Sequence, residues 1–227
     1  MARSQHKNPP IGGVSAFILA GGESSRMGCD KALLELDGVP MIVRTARLVE
    51  SVTGPAAARA TIVGEPESYQ RLGLRAIRDD WPGAGPLGGI ATALRASDRA
   101  WSLVVACDLP YLTRGWLEFL IERALGSEAD AVLPMNDRGA EPLCAMYRKS
   151  AEGAVWLALD RGVRKVTDGL GHLRVEYVEQ REWKAFDSEG LLFKNMNSPE
   201  DYEQAKARVN RPEKDRRKPQ MNADKRR

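Results

Sequence analysis

Histidine is almost absent from this chain of 227 residues, in which only His6 and His172 occur. This scarcity nearly excludes a catalytic triad built on histidine, and also a histidine-rich metal site. The three cysteines, at positions 29, 107 and 144, are far apart and form no CxxC pair. Their spacing argues against a disulfide framework and a structural zinc site, and it favours the reduced cytoplasm as the compartment.

Long hydrophobic runs are also missing. No apolar segment approaches the ~20 residues that a transmembrane helix needs, and the opening MARSQHKNPP has no apolar core of a secretory signal. Hydrophobic residues nevertheless make up 43% of the chain and charged residues 29%. This balance is typical of a soluble globular protein. We therefore expect a cytoplasmic protein with no membrane partner.

The basic charge is concentrated at one end of the chain. Residues 208–227 contain nine Lys or Arg and three Asp or Glu, so their net charge is +6. The whole chain has a net charge of +3, so residues 1–207 carry about −3. No aromatic side chain alternates with these charges, which favours a solvated tail over nucleic-acid binding. We predict a flexible leader (1–13), one folded domain (14–208) and a basic disordered tail (209–227), with no nucleic-acid partner.

Short apolar segments alternate with amphipathic ones along most of the chain. Strands are predicted at 14–19, 61–63, 74–77, 102–107, 130–134, 143–147 and 174–178, and helices at 41–52, 88–96, 113–125, 151–160 and from 199 onward. This order predicts an α/β fold, a single-domain Rossmann-like sandwich with a mostly parallel sheet and helices on both faces. Ligands of such sheets bind beyond the carboxyl ends of the strands.

The segment after the first strand is rich in glycines and cations. It reads LAGGESSRMGCDK from Leu19 to Lys31. Glycines let backbone N–H groups approach a polyphosphate closely, and Arg26 and Lys31 can neutralise phosphate charge. The spacing matches neither a Walker A loop nor a Rossmann fingerprint. Glycines alone would indicate an ordinary turn, but both cations in one loop favour phosphate binding.

Acidic residues follow two other predicted strands. Asp108 comes directly after the strand at 102–107. A carboxylate at this position commonly holds Mg²⁺ against nucleotide phosphates. Taken alone, Asp108 is equally well explained as an ordinary turn residue. Asp79 and Asp80 open the segment DDWPGAGPLGG. Its glycines formally satisfy GxGxxG, but Pro86 interrupts them, so we favour a loop that passes close to a base or ribose.

Five blocks of sequence together resemble the molybdenum cofactor guanylyltransferases, the MobA family of MobA-like NTP transferases. They are 19–41, DDWPGAGPLGGI (79–90), ACDLPYL (106–112), EPLCAMY (141–147) and NMNSPEDY (195–202), and they occur in the family's order. The resemblance implies a nucleotide-diphospho-sugar transferase-like fold. It also implies transfer of GMP from GTP to Mo-molybdopterin with release of pyrophosphate, Mg²⁺ as cofactor, and delivery of the product to apo-molybdoenzymes.

The same resemblance implies roles for single residues. The backbone of Leu19, Ala20 and Gly21 would contact the guanine nucleotide, and Asp79 would contact its nucleoside. Lys31 would bind the phosphates, with Arg26 beside them, and Asp108 would ligate Mg²⁺. Asn195 and Asn197 would line the acceptor side or assist the metal. Asp108, Lys31 and Arg26 would form the catalytic set. Asp79 suits the family pattern better than Asp80, and the two asparagines are equally well explained as turn residues before a capped helix.

Two positions depart from the family pattern. Gly88-Gly89 stands where Ala-Gly is frequent, and Ser198 replaces the threonine of the NxNTPE block, although serine caps a helix as well as threonine does. The sister cytidylyltransferases usually carry a threonine-alanine version of LAGG, so residues 19–22 favour guanine. The alternatives that stay open are a related nucleotidyltransferase that uses CTP or a sugar-phosphate acceptor, and a non-catalytic nucleotide-binding accessory protein.

Overall fold

The computed structural model describes residues 13–21, 30–53 and 59–209. The strands are β1 (Val14–Leu19), β2 (Glu35–Leu36), β3 (Val39–Pro40), β4 (Thr61–Val63), β5 (Arg75–Ile77), β6 (Trp101–Ala106), β7 (Ala131–Asn136), β8 (Gly139–Ala140), β9 (Cys144–Arg148) and β10 (Val175–Val178). The α-helices are α1 (Met41–Thr53), α2 (Pro66–Tyr69), α3 (Pro86–Ala96), α4 (Arg114–Leu125), α5 (Glu152–Asp160), α6 (Val166–Gly169), α7 (Gln180–Trp183) and α8 (Pro199–Val209). Every strand and helix predicted from the sequence is confirmed to within two residues at each described end.

The main sheet has the strand order β10-β7-β9-β6-β1-β4-β5, and β8 forms a hairpin with β7. The strands from β6 through β1 and β4 to β5 are parallel, and β10 is parallel to β7. Strand β9 runs antiparallel to both of its neighbours. The predicted α/β sandwich with a mostly parallel sheet is therefore confirmed, with β9 as the strand of opposite direction.

The register of the central strands brings two chain segments to one edge of the sheet. Leu19 pairs with Ala106, so β1 and β6 end side by side. Every residue of β6 is buried, because helices cover both faces of the sheet. On one face, α1 and α4 pack through Ile42 and Trp116. On the other face, α3 and α5 supply Leu87 and Val155 among the core residues. The residues that follow β1 and β6 are therefore attached to strands that are held rigidly in the core.

The start of α3 corrects one interpretation made from the sequence. The helix begins at Pro86 rather than at Gly88, and Pro86 occupies its first turn after Gly85. Proline is favourable there because its missing N–H has no partner within the helix in any case. Pro86 therefore begins a helix, and it does not merely interrupt a glycine loop. Gly85 has a φ of 70°, a conformation that favours glycine.

The predicted leader and tail lie almost wholly outside the described residues, so their boundaries stay predictions. None of the helices in the described part of the chain has the length and apolar character required to cross a bilayer.

Candidate active site

Asp108 lies just beyond the carboxyl end of β6. It is partly buried, and its Oδ1 atom is shielded from solvent yet has no hydrogen-bond partner among the described residues. Burial raises the pKa of the Asp108 carboxyl, and the positive charge of Lys31 opposes that rise only in part. A shielded carboxylate oxygen without a partner is unfavourable unless a ligand satisfies it. These surroundings favour a ligand-binding position over an ordinary turn.

Lys31 begins a short 3-10 turn, Lys31–Leu33, in the loop after β1. Asp30 caps this turn, since its Oδ1 accepts a hydrogen bond from the Ala32 N–H at 3.0 Å. The other oxygen, Oδ2, accepts a hydrogen bond from the Tyr69 hydroxyl at 3.0 Å. Tyr69 is buried, so it anchors the cap to the protein core. The backbone that carries Lys31 is therefore held from two sides.

The side chain of Lys31 points to the same region as Asp108. Its Nζ donates a hydrogen bond to Asn197 Oδ1 at 3.1 Å. Its charge lowers the pKa of both Asp108 and the buried Cys107 thiol, in each case against a larger increase caused by burial. Lys31 and Asp108 thus share one site, and the two groups do not lie on opposite faces of the molecule.

The segment before α8 is joined to Asp108 through the backbone. The N–H of the buried Met196 donates to the carbonyl of Asp108 at 2.9 Å. Asn195 and Asn197, on either side of Met196, are exposed. Asn197 meets Lys31, and Asn195 lines a cleft on the other side of Asp108. The structure therefore brings both asparagines to the site.

Residues 19–21 are the last residue of β1 and the two residues that follow it, and they lie beside this site. The Ala20 N–H donates to the Val63 carbonyl at 2.9 Å, so the extended backbone continues past the strand. The Ala20 carbonyl lies against Gly64, where an added Cβ would be only 2.2 Å from that oxygen. Gly21 is exposed, and a Cβ at Gly21 would meet no atom within 4 Å. The backbone of residues 19–21 is therefore accessible to a ligand at Gly21.

Asp79 and Asp80 have different surroundings. Asp79 Oδ1 accepts hydrogen bonds from the Thr92 hydroxyl at 2.7 Å and from the Trp81 N–H at 3.0 Å. Asp80 is exposed and forms an ion pair with Arg95 at 3.3 Å. Asp79 is therefore held in one orientation beyond the end of β5, and its choice over Asp80 as the residue that contacts the nucleoside stays a prediction.

The departure from the family pattern at Gly88 has a steric reason. A Cβ at Gly88 would lie 2.9 Å from the Trp81 carbonyl oxygen and 3.1 Å from the Ala84 Cβ. The Trp81 ring meets Trp156 edge to face, with centroids 5.5 Å apart. The loop before α3 therefore packs so closely on the helix that alanine at position 88 would have to displace it.

A cleft of about 280 Å³ opens on the β9 side of Asp108. Ala106 and Leu109, which flank Asp108 in the sequence, line this cleft together with Glu141 and Lys165. Sequence reasoning assigned no role to Glu141 or Lys165. The EPLCAMY block could have drawn attention to Glu141, but nothing in the sequence places Lys165 beside it, since α5 separates the two.

Arg26 lies outside the described residues, as do its neighbours from 22 to 29. Its predicted place beside the phosphates is therefore not described by the structure and stays a prediction.

A divalent cation fits the donor set at Asp108 only in part. Among residues 13–21, 30–53 and 59–209, no three His, Cys, Asp or Glu side chains cluster as they would in a metal centre built from protein alone. The shielded Oδ1 of Asp108 offers one oxygen ligand. Mg²⁺ commonly binds through one or two carboxylates and completes its shell with phosphate oxygens and water. The site therefore fits a cation that arrives with a phosphorylated substrate.

Comparisons with solved structures agree with the fold. The chain is similar to the molybdopterin-guanine dinucleotide biosynthesis protein A of Archaeoglobus fulgidus, with a TM-score of 0.73 and 28% identity over 85% of this chain and 97% of that one. A 2-C-methyl-D-erythritol 4-phosphate cytidylyltransferase from Thermus thermophilus shares the fold at a TM-score of 0.63, with 20% identity over 87% of this chain and 98% of that one. The nucleotidyltransferase fold is thus common to both.

Sequence comparisons narrow the family. Residues 16–176 match the MobA-like NTP transferase domain. Several relatives carry the name probable molybdenum cofactor guanylyltransferase. The protein of Pelotomaculum thermopropionicum is 36% identical over 86% of this chain and 92% of its own length, and that of Carboxydothermus hydrogenoformans is 37% identical over 84% and 93%. With the resemblance of its five sequence blocks confirmed, the chain is a nucleotidyltransferase and belongs to the molybdenum cofactor guanylyltransferases of the MobA-like NTP transferase family.

Proposed function

We propose that this chain transfers GMP from GTP to Mo-molybdopterin, with formation of molybdopterin guanine dinucleotide and release of pyrophosphate. The shielded, unpartnered Oδ1 of Asp108 beside Lys31 is the observation that carries the proposal. It supports a site for a cation and phosphate groups at the sheet edge where the glycine-rich segment ends. The names of the relatives supply the donor and the acceptor.

The nucleotide would lie over the end of β1. The backbone of residues 19–21 would contact the guanine nucleotide, Asp79 would contact the nucleoside and Lys31 would bind the phosphates. The hydrogen bond between Lys31 and Asn197 supports this arrangement, because a neutral partner holds the lysine in place and leaves its charge available to an anion. Arg26 would add a second positive charge near the phosphates.

Asp108 would hold Mg²⁺, since its shielded oxygen is an unsatisfied hard ligand. When bound, the cation supplies charge neutralisation to the triphosphate and to the leaving pyrophosphate. The finer expectations of the family, including delivery of the product to apo-molybdoenzymes, belong to this proposal as well.

The chemistry requires little proton transfer. The terminal phosphate oxygen of the acceptor would attack the α-phosphorus of GTP, and the bond to pyrophosphate would break as the new P–O bond forms. Because this nucleophile is already an anion, no histidine is needed as a general base. The residues of the chain act instead by orienting two polyanions and by reducing the repulsion between them. Lys31 and Asn197 would act on the phosphates of both substrates.

The direct test is pyrophosphate release with GTP and Mg²⁺, measured with and without molybdopterin. We expect release only when the acceptor is present, and we expect GTP to be used much faster than CTP. A preference for CTP would contradict the guanylyl donor. GTP binding without any release, in the presence of the acceptor, would favour the non-catalytic accessory protein.

A further inference from the structure

The cleft on the β9 side of Asp108 is lined mostly by apolar residues, and Leu109, Leu143 and Val166 are among them. Its strongly polar lining residues are Glu141, Lys165 and Asn195. Its volume of about 280 Å³ is near the lower limit of small-molecule sites and is enough for a fused ring.

The carboxylate of Glu141 is held in a defined position. The Glu141 N–H donates to the Pro134 carbonyl at 2.8 Å, and its carbonyl accepts from the Cys144 N–H at 3.3 Å. The side chain accepts a hydrogen bond through Oε1 from Asn136 Nδ2 at 2.6 Å. Its Oε2 has no partner among the described residues, so one oxygen stays available to a ligand.

The electrostatics of Glu141 favour a ligand that donates N–H groups. Partial burial raises the pKa of this carboxyl, and the hydrogen bond from Asn136 and the charge of Arg138 oppose the rise only in part. No described side chain forms an ion pair with Glu141. Lys165 also lines the cleft, and its side chain is largely exposed. Its Nζ lies 3.6 Å from Asp168 Oδ1. A half-buried carboxylate of this kind is stabilised by a ligand whose N–H groups replace the water that it has lost.

The two ends of the site therefore differ in charge. Lys31 provides a cation on the β1 side of Asp108. In the cleft on the other side, the charge of Lys165 is paired with Asp168, whereas Glu141 provides an anion without an ion-pair partner among the described residues. A phosphorylated acceptor would direct its phosphate toward Lys31 and away from Glu141, because like charges repel. Its ring would then be the part that enters the cleft.

Building on the proposed function, we propose that this cleft binds the heterocycle of the acceptor and that Glu141 determines its specificity by accepting hydrogen bonds from the 2-amino group and the adjacent ring N–H of a pterin. A carboxylate has only acceptor atoms, so it matches an edge that has two donors. A ring with an oxo group in place of the 2-amino group would present an acceptor to Glu141, and binding would weaken.

The first test needs no nucleotide and no catalysis. 6-Hydroxymethylpterin and the corresponding 2,4-dioxo ring, 6-hydroxymethyllumazine, are titrated into the protein and followed by ring fluorescence. We expect the wild type to bind the pterin about tenfold more tightly, and Glu141→Gln to lose most of this preference. Glu128→Gln, an exposed position, is the matched control and should retain it. Equal binding of the two rings by the wild type, or an unchanged preference in Glu141→Gln, would overturn the inference.

The second test uses turnover. At saturating GTP and Mg²⁺, Glu141→Gln should raise the KM for molybdopterin about tenfold. At saturating molybdopterin, the KM for GTP should stay within about twofold of the wild type. An unchanged acceptor KM would refute the role of Glu141 while leaving the proposed function intact. If the wild type released no pyrophosphate at all, the proposed function would fail, whereas ring discrimination would still decide the role of Glu141.

Discussion

On the β1 side of Asp108, the residues that would meet the nucleotide come mostly from one continuous stretch, from Leu19 to Lys31. On the β9 side, the cleft collects residues from separate parts of the chain, such as Leu109, Glu141 and Lys165. Backbone groups and a lysine form the first side, and side chains from several loops form the second. The first side therefore depends on one stretch of the chain, and the second on the packing of several.

This difference follows from how the sheet is built. The parallel strands β6, β1 and β4 end at one edge, so short loops deliver polar groups to a fixed place. Strand β9 is antiparallel and lies between β6 and β7, so its preceding turn, with Glu141, arrives at the same edge from the opposite chain direction. The acceptor side therefore depends on the exceptional strand of the sheet.

The largest expected effect is at the point where the two sides meet. Asp108→Asn should reduce turnover at least 10²–10³-fold, because the oxygen pair that would hold the cation loses its charge. The same change should leave the unliganded protein as stable as the wild type or about 1 kcal/mol more stable, since burial already disfavours the charged form. Pyrophosphate release and urea unfolding measure the two effects.

Asp160→Asn is the matched control for this substitution. Asp160 is exposed at the end of α5, and its neutralisation should change neither turnover nor stability appreciably. Near-normal Mg²⁺-dependent activity of Asp108→Asn would refute the metal-binding role.

The next largest effect is expected at Lys31 and Asn197, which would bind phosphate and would take no part in recognition of the acceptor's ring. Lys31→Ala should cost about 2–4 kcal/mol in GTP binding and rate, because a charged phosphate ligand is lost. Asn197→Ala removes only a neutral partner of Lys31 and should cost about tenfold or less. The ring preference measured with pterin and lumazine should stay unchanged in both variants.

Exposed Lys184→Ala serves as the control for the loss of a positive charge, and it should behave as the wild type. If Lys31→Ala abolished ring discrimination as well, the separation of the two sides would be wrong.

A smaller effect is expected at Tyr69, the buried residue that bonds to the cap of the Lys31 turn. Tyr69→Phe removes the hydroxyl that donates to Asp30 Oδ2, so the cap of the Lys31 turn loses one of its two restraints. We expect a loss of about 0.5–1.5 kcal/mol in the free energy of unfolding and a few-fold rise in the KM for GTP. Tyr177→Phe is the control, because that ring is 43% exposed on β10. An unchanged KM and unfolding free energy in Tyr69→Phe would show that Asp30 needs no such support.

The smallest effect is expected away from both sides of the site, at the contact between α4 and β10. Burial would raise the pKa of Glu176, but hydrogen bonds from Ser127 and Arg123 outweigh it and hold the pKa below its ordinary value of 4.5. A carboxyl with a lowered pKa in the folded state adds stability above its unfolded pKa and loses it as the pH falls through the folded value. Acid below about pH 4.5 should therefore weaken the link between α4 and β10.

Urea unfolding at about pH 7 and about pH 3.5 tests this link. The wild type should lose more stability between the two conditions than Glu176→Gln does, whereas Glu128→Gln should behave as the wild type. An identical pH dependence in Glu176→Gln and the wild type would contradict the assignment.

Much of the fold can be predicted from local patterns. The alternation of apolar strands and amphipathic helices predicts the sandwich, and Thr113 accepts a hydrogen bond from the Trp116 N–H as expected of an N-cap. The short helix at Pro66–Tyr69 and the direction of β9 could not be predicted. A four-residue helix has almost no periodicity to detect, and an isolated apolar run contains no information about which neighbour it will pair with.

The sequence alone determines most of the elements and the family, and it predicts the nucleotide side of the site, because a glycine-rich loop and a strand-end carboxylate are local features. Only the tertiary structure decides that Lys31 meets Asn197, that Asp108 has a shielded oxygen without a partner among the described residues, and that Glu141 lines a cleft beside Asp108. These contacts join residues far apart in the chain. Their positions depend on sheet register and on the packing of whole elements, which no single segment of sequence specifies.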